Sequence, residues 1–310
     1  MAIDITLHVG LPKTGSSTLQ RHLYMNREVL RRQGVDYPQP DRSTDLPKHQ
    51  FLTTGLLRNN SAHLAGVLAA ADRPSLIMST EGLSNHLYDF SVEALAAFRE
   101  ITRAHTLRCV LILRAPESWL LSYYKQIIIN PRVGIPGVWF YGTDITLDAF
   151  CATARAQALT DHEQLPDDIA AAYGAKSVIV LQLEEDWIAG FDRALGLDSN
   201  AWSPTPRENE SAPGASIEIL RQVNAHDLPE SERMTWKAAL QAFSGTNHTL
   251  LKSATRQLIR GAVPRRIDPG ILAALRPDQQ AALPLSQETL CAFRNFVHEQ
   301  FPVSGESTET

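Results

Sequence analysis

Apolar residues along this chain alternate between two kinds of pattern. Ile3–Val9, Ser75–Ser79, Leu107–Leu113 and Ser177–Leu181 are short, mostly apolar runs bounded by turn residues. They predict strands buried on both faces. Between them the apolar positions recur at helical spacing. A helix is predicted from Ser16 or Ser17 to about Arg32, with Leu19, Leu23 and Leu30 on one stripe and Gly34 as its stop. Phe51–Leu57, His63–Ala71, Val92–His105 and Asp144–Leu159 follow the same rule. So do a helix ending at Ile169–Tyr173 and closed by Gly174, and Trp187–Leu195 closed by Gly196. Pro116 opens a helix, because its missing N–H has no partner to lose at a first turn. Residues 36–50 are loop-like, and Ile127–Gly142, with two prolines and three glycines, predicts a functional loop or lid. Strands alternating with helices predict an α/β fold with a mainly parallel sheet flanked by helices.

Beyond about residue 198 the strand pattern stops. Ser203–Pro213 is irregular, and Ser216–Asn224, Glu230–Ala242, Asn247–Arg260 and Gln287–Glu299 are helical in pattern. The expected organisation is one domain over 1–310. Its α/β core spans 1–200, a mostly helical C-terminal region spans 201–303, and residues 304–310 form a flexible tail.

Composition narrows the function classes. Lys+Arg number 29 against Asp+Glu 34, so no basic excess suggests nucleic acid. Three widely spaced cysteines, Cys109, Cys151 and Cys291, suggest buried thiols in a reducing compartment rather than a disulfide frame. No apolar run approaches a membrane span, and the chain enters its first strand at once, so a cytoplasmic protein without a signal peptide is expected. His22, His49, His63 and His86 lack metal-ligand spacing, and no metal is expected.

Candidate chemistry begins at residues 10–18, Gly-Leu-Pro-Lys-Thr-Gly-Ser-Ser-Thr, between the first strand and the first helix. A strand, a Gly/Ser/Thr turn and a helix start make a phosphate or sulfate cradle, because first-turn N–H groups and the helix dipole both favour an anion. The ATPase loop G-x-x-x-x-G-K-[ST] is different: here Lys13 lies two residues before Gly15. In a parallel sheet, ligands bind beyond the C-terminal strand ends. Lys13, Glu81 and Arg114 follow the first, second and third predicted strands, and so are expected in one crevice.

The loop Pro12–Gln20 resembles the 5′-phosphosulfate loop of the sulfotransferases, roughly P-K-[ST]-G-T-[ST]-x-L. Leu113–Tyr124 resembles their 3′-phosphate segment, with an Arg-to-Ser spacing of eight between Arg114 and Ser122. Softer likeness runs through Tyr173-Gly174, Glu184-Glu185, Phe191–Leu197 and Arg207–Ser211, and fades in the C-terminal helices. The family's distal Arg-Lys-Gly motif is absent as such; Arg207 and the basic run Arg256–Arg266 are the candidates to replace it. The resemblance implies a P-loop NTPase-like three-layer sandwich and a bacterial-type sulfotransferase. Its donor would be 3′-phosphoadenosine-5′-phosphosulfate (PAPS), held by Pro12, Lys13, Thr14, Gly15, Ser16, Ser17, Thr18, Arg114 and Ser122.

The implied reaction moves a sulfuryl group in line to a hydroxyl acceptor, with Lys13 on the leaving phosphate. The acceptor is a carbohydrate or glycolipid as first expectation, with phenols and tyrosine open. Glu81 is the first candidate for general base, weighed against a helix-capping role, and His49 is the second. Tyr123, Tyr124, Trp139, Phe140 and Tyr141 are candidates for the acceptor pocket or for core packing. Two rival readings remain: a magnesium-ATP-dependent kinase, and a non-catalytic nucleotide-binding protein.

Overall fold

In a computed structural model of the chain, residues 2–40, 47–132, 141–200, 202–204 and 211–301 are described. They fall into two units. One comprises Met1–Trp119 and Ala152–Glu208, the other Leu120–Cys151 and Asn209–Thr310.

The first unit is built on a five-stranded sheet: β1 (Asp4–His8), β2 (Val35–Asp36), β3 (Ser75–Ser79), β4 (Thr106–Leu113) and β5 (Ser177–Gln182). The order is β2-β3-β1-β4-β5 and every pairing is parallel. The helices of this unit are α1 (Ser16–Met25), α2 (Arg27–Arg32), α3 (Gln50–Leu57), α4 (Ala62–Ala69), α5 (Gly82–Asn85) and α6 (Val92–Thr102). The start of α7 (Pro116–Ile129) also belongs here. In the other unit α7 continues and α8 (Leu147–Cys151) follows; the chain then returns to the first unit with α9 (Ala154–Thr160), α10 (Leu165–Tyr173) and α11 (Trp187–Leu195).

Burial along the strands follows their place in the sheet. Ile5–His8 of β1 and Cys109–Leu113 of β4 are buried, so both faces of these strands are covered, whereas β5, at an edge, leaves Val180 exposed. On one face Leu19 and Leu23 of α1, Leu30 of α2 and Phe191 of α11 pack with Ile77, Val110 and Ile112. Strand alternation turns Cys109 to the other face, where burial and the nearby Tyr173 hydroxyl of α10 belong, and Tyr173 packs edge-on to Phe98 of α6. These are the three layers of an α/β sandwich.

The second unit is helical among its described residues. Besides α7 and α8 it holds α12 (Gly214–Asn224), α13 (Glu230–Ser244), α14 (Thr249–Ile259), α15 (Pro269–Ala274) and α16 (Gln287–Gln300). Trp236 and Phe243 of α13 meet Phe293 of α16 in its core.

Several predicted boundaries are corrected. The first helix breaks at Asn26, whose side-chain amide donates back to the His22 carbonyl (2.8 Å) while its Oδ1 accepts from Ser203 N–H (2.9 Å). The helix expected over Asp144–Leu159 divides because Thr153 caps a new one, accepting from Ala156 N–H (3.2 Å). Ile127–Ile129, expected in a loop, are buried and continue α7, which stops before Pro131. The two-residue β2 and the short α15 were not anticipated; Asp268 caps α15 through Gly270 N–H (2.7 Å).

Candidate functional site

The candidate site is sought at the C-terminal ends of β1, β3 and β4. His8 of β1 registers with Ser79 of β3 and with Val110 of β4. The loop after β1, Glu81 after β3 and Arg114 after β4 therefore leave the sheet at the same end.

The loop between β1 and α1 is held by its carbonyl groups. Ser84 Oγ of α5 donates to the Gly10 carbonyl (2.9 Å), Thr14 Oγ1 to that of Leu11 (2.6 Å), and the buried indole of Trp119 in α7 to that of Pro12 (2.7 Å). With three successive carbonyls turned into the protein, the backbone alternates hand: Lys13 has φ 66° and Gly15 φ 83°. Such alternation points successive N–H groups into one concavity. Lys13 in this region, which disfavours ordinary side chains, is a local strain found most often at functional sites.

Gly15 is the N-cap of α1 and no side chain caps that helix. Ser16 and Ser17, the first helical residues, have no intrahelical acceptor for their N–H groups. Thr18 N–H, expected in the cradle, instead donates to the Gly15 carbonyl (2.9 Å), so only the residues before it offer amides. Thr14 is buried and its hydroxyl belongs to the loop itself. Ser16 Oγ is buried without a hydrogen-bond partner. His8, also fully buried, shares a 2.7 Å hydrogen bond between Nδ1 and Ser79 Oγ and leaves Nε2 unpartnered. A Cβ on Gly10 would collide with His8 Nε2 and lie 3.3 Å from Ser16 Oγ. Burial pushes the His8 pKa down to about 4, against the pull of Glu81, so its imidazole is neutral at pH 7.

Glu81 does not cap α5 with its side chain. Gln20 Nε2 of α1 donates to one carboxylate oxygen (3.0 Å) and Lys48 Nζ lies 3.5 Å from the other. Glu81 keeps 22% of its side chain exposed and Lys48 21%. Burial raises the carboxyl pKa, but Lys48, the Gln20 hydrogen bond and His8 together hold it below the ordinary value. The side chain is thus a partly exposed carboxylate two residues beyond the end of β3.

His49 is fully buried. Its Nδ1 accepts from Ser79 N–H (3.0 Å) and its Nε2 lies 3.1 Å from the Pro38 carbonyl, so both ring nitrogens bond inside the fold. Its own N–H donates to the Ser79 carbonyl (2.9 Å). This clasp fixes the neighbouring Lys48 beside Glu81.

Arg114 is half-buried, and its Nε donates to Ser118 Oγ (2.9 Å), in the first turn of α7. Ser122, the expected partner by spacing, is half-buried on α7 within the second unit. Tyr123 and Tyr124 are buried around Phe150, with centroids 5.9 and 6.1 Å away. Trp139, Phe140 and Arg207 lie outside the described residues; Arg256, Arg260, Arg265 and Arg266 are exposed. No cluster of metal-ligating side chains occurs among the described residues, and none of their helices is long and apolar enough to cross a membrane.

The sequence reading passed over His8, Gln20, Lys48, Ser84, Ser118 and Trp119. Only Ser118 carried a local signal, a hydroxyl four residues after a strand-tip arginine.

No protein-family profile matches the chain, and no curated protein matches it. Among solved structures it is similar to a sulfotransferase from Alicyclobacillus acidocaldarius, at 13% sequence identity and a TM-score of 0.41. That alignment covers 81% of this chain and 100% of the other.

Proposed function

We propose that the chain is a sulfotransferase that uses PAPS to sulfate a hydroxyl acceptor, with a carbohydrate or glycolipid as the leading class. The observation that carries the proposal is the pairing of an uncapped, carbonyl-anchored anion loop with a partly exposed carboxylate at the end of the neighbouring strand β3. The residues present fit the donor. Ser16 Oγ is a buried hydroxyl without a hydrogen-bond partner among the described residues, and the bare Cα of Gly10 leaves the space between that hydroxyl and His8 free of a side chain.

Bound PAPS would supply a sulfuryl group on a phosphate leaving group. The N–H groups of Ser16 and Ser17, with Ser16 Oγ, would hold its 5′-phosphate, assisted by the dipole of α1. Lys13 would offer its ammonium to the charge that develops on the leaving oxygen. Arg114, with its fork steadied by Ser118, is assigned to the 3′-phosphate. Glu81 would take the proton of the acceptor hydroxyl on a carboxylate oxygen. His49 is not assigned this task, since its Nδ1 lone pair already accepts from Ser79 N–H. Neutral His8 and Ser79 brace the floor of the loop.

Lys13→Ala tests the assignment. Turnover of PAPS with a panel of sugar, phenol and alcohol acceptors falls about 10²–10³-fold if Lys13 stabilises the leaving oxygen. Undiminished turnover would remove it from the mechanism.

A further inference from the structure

The second unit contains a cationic cluster that the proposed chemistry does not use. Arg233 of α13 has 0% exposure, and among the described residues its Nε, Nη1 and Nη2 all lack a hydrogen-bond partner. A guanidinium in that state is a large unmet demand, because buried charges in proteins are ordinarily paired and hydrogen-bonded. Among the described residues the carboxylate that approaches it is Glu230, with Oε2 3.7 Å from Nη1, too far for a hydrogen bond. Glu230 is already engaged by Lys237 Nζ at 2.8 Å on its other oxygen. Even a closer approach of Oε2 would satisfy one of the five N–H groups of Arg233.

The surroundings add positive charge. Lys237 is itself buried. Arg132 donates to the Gly142 carbonyl (3.3 Å) and to the Asn224 carbonyl (2.7 Å). Gly142, at φ 64°, presents its bare Cα to the guanidinium: a Cβ there would lie 2.6 Å from Nη1 and collide with Nη2. Among the described residues Arg233 and Lys237 therefore share one carboxylate, Glu230, while Arg132 faces the fully exposed Asp227. Burial and the neighbouring Arg132 both weaken the hold of Arg233 on its proton, and Glu230 offsets them only in part. Glu230 and Arg132, with 35% and 44% of their side chains exposed, mark the side open to solvent.

We infer that this cluster is a binding site for an oxoanion: a sulfate, phosphate or carboxylate group, free or carried on a larger molecule. The planar fork of Arg233 matches two oxygens of such a group, and Lys237 adds a point charge. All the residues belong to the second unit, so the inference stands independently of the donor site.

Isothermal titration of the full-length protein tests it, using inorganic phosphate, sulfate and succinate as separate probes, each with and without saturating 3′-phosphoadenosine-5′-phosphate (PAP). One equivalent of at least one probe is expected to bind with PAP present, and Arg233→Met is expected to weaken it about ten- to hundredfold. Arg233→Lys falls between the two. Binding of phosphate or sulfate assigns a phosphoryl or sulfuryl ligand, and binding of succinate alone assigns a carboxylate. Circular dichroism checks folding, which an apolar side chain of similar volume should preserve; Lys237→Met is the second variant. Binding unchanged in a folded Arg233→Met protein, or no binding of any probe to wild type, overturns the inference. Loss of PAP binding with persistence of this site would count against the donor assignment alone.

Discussion

Gly15→Ala isolates the geometry of the anion loop. Two separate terms oppose the added methyl group. The first is backbone: φ is 83° at this position, and a non-glycine residue there costs about 1–2 kcal/mol. The second is steric: the new Cβ would lie 2.7 Å from Cζ2 and 3.2 Å from Cη2 of Trp187, a partly buried side chain packed into the core beside α1. Overpacking of that kind costs about 1–3 kcal/mol. The sum is about 2–5 kcal/mol, and a double-mutant cycle separates the parts. In a Trp187→Leu background the six-membered ring is gone, leaving Leu183 Cδ1 at 3.3 Å as the nearest atom, so Gly15→Ala should retain mainly the backbone term. Urea denaturation of the four proteins gives a coupling of about 1–3 kcal/mol on this reasoning. A coupling within about 0.5 kcal/mol of zero, the ordinary additivity of independent sites, would refute the packing of Trp187 on Gly15. A neutral Gly15→Ala would refute the left-handed turn as well.

Glu81→Gln keeps the shape of the side chain and removes the base. Turnover should fall about 10²–10⁴-fold while PAP affinity stays within a few-fold of wild type, as read by calorimetry; full turnover would return the question to another base. Lys48→Met removes the main attraction that holds the Glu81 carboxyl low. Its pKa then rises, so the acid limb of the pH–rate profile should move to higher pH, whereas an unmoved limb would sever the limb from Glu81. His8 is buried neutral, with its pKa pushed from 6.5 to about 4. Its contribution to stability is therefore present above pH 6.5 and is lost as pH falls towards 4, by about 3 kcal/mol. Urea unfolding across that range should show a smaller loss in His8→Gln than in wild type, and parallel curves would contradict the burial argument.

Much of the first unit was legible because both faces of a central strand are buried. Ile5, Leu7 and Cys109–Leu113 write their position as apolar runs. The edge strand β2 has two residues and no such run. Helix breaks at Asn26 and Thr153 arise from single side-chain bonds to backbone, which periodicity does not register. At the site, Lys13, Glu81 and Arg114 were visible because a parallel sheet gathers its strand tips at one end. Their partners were not: Trp119 reaches the Pro12 carbonyl across 107 positions of sequence, and Ser84 reaches Gly10 across 74. His49 was the second candidate base, yet only the structure shows both ring nitrogens committed to the fold. Arg233 carried no signal at all, because among Glu230, Glu232 and Lys237 it looks like one more residue of a solvated helix face.

The most direct test of the central claim is calorimetric titration of the unmodified chain with PAP, set beside ATP with magnesium, in the absence of any acceptor. The account predicts tight binding of PAP with weak binding of ATP, and a marked loss of PAP affinity in Arg114→Ala. Preference for magnesium-ATP would place the chain among kinases and contradict the account, and so would a chain that binds neither nucleotide.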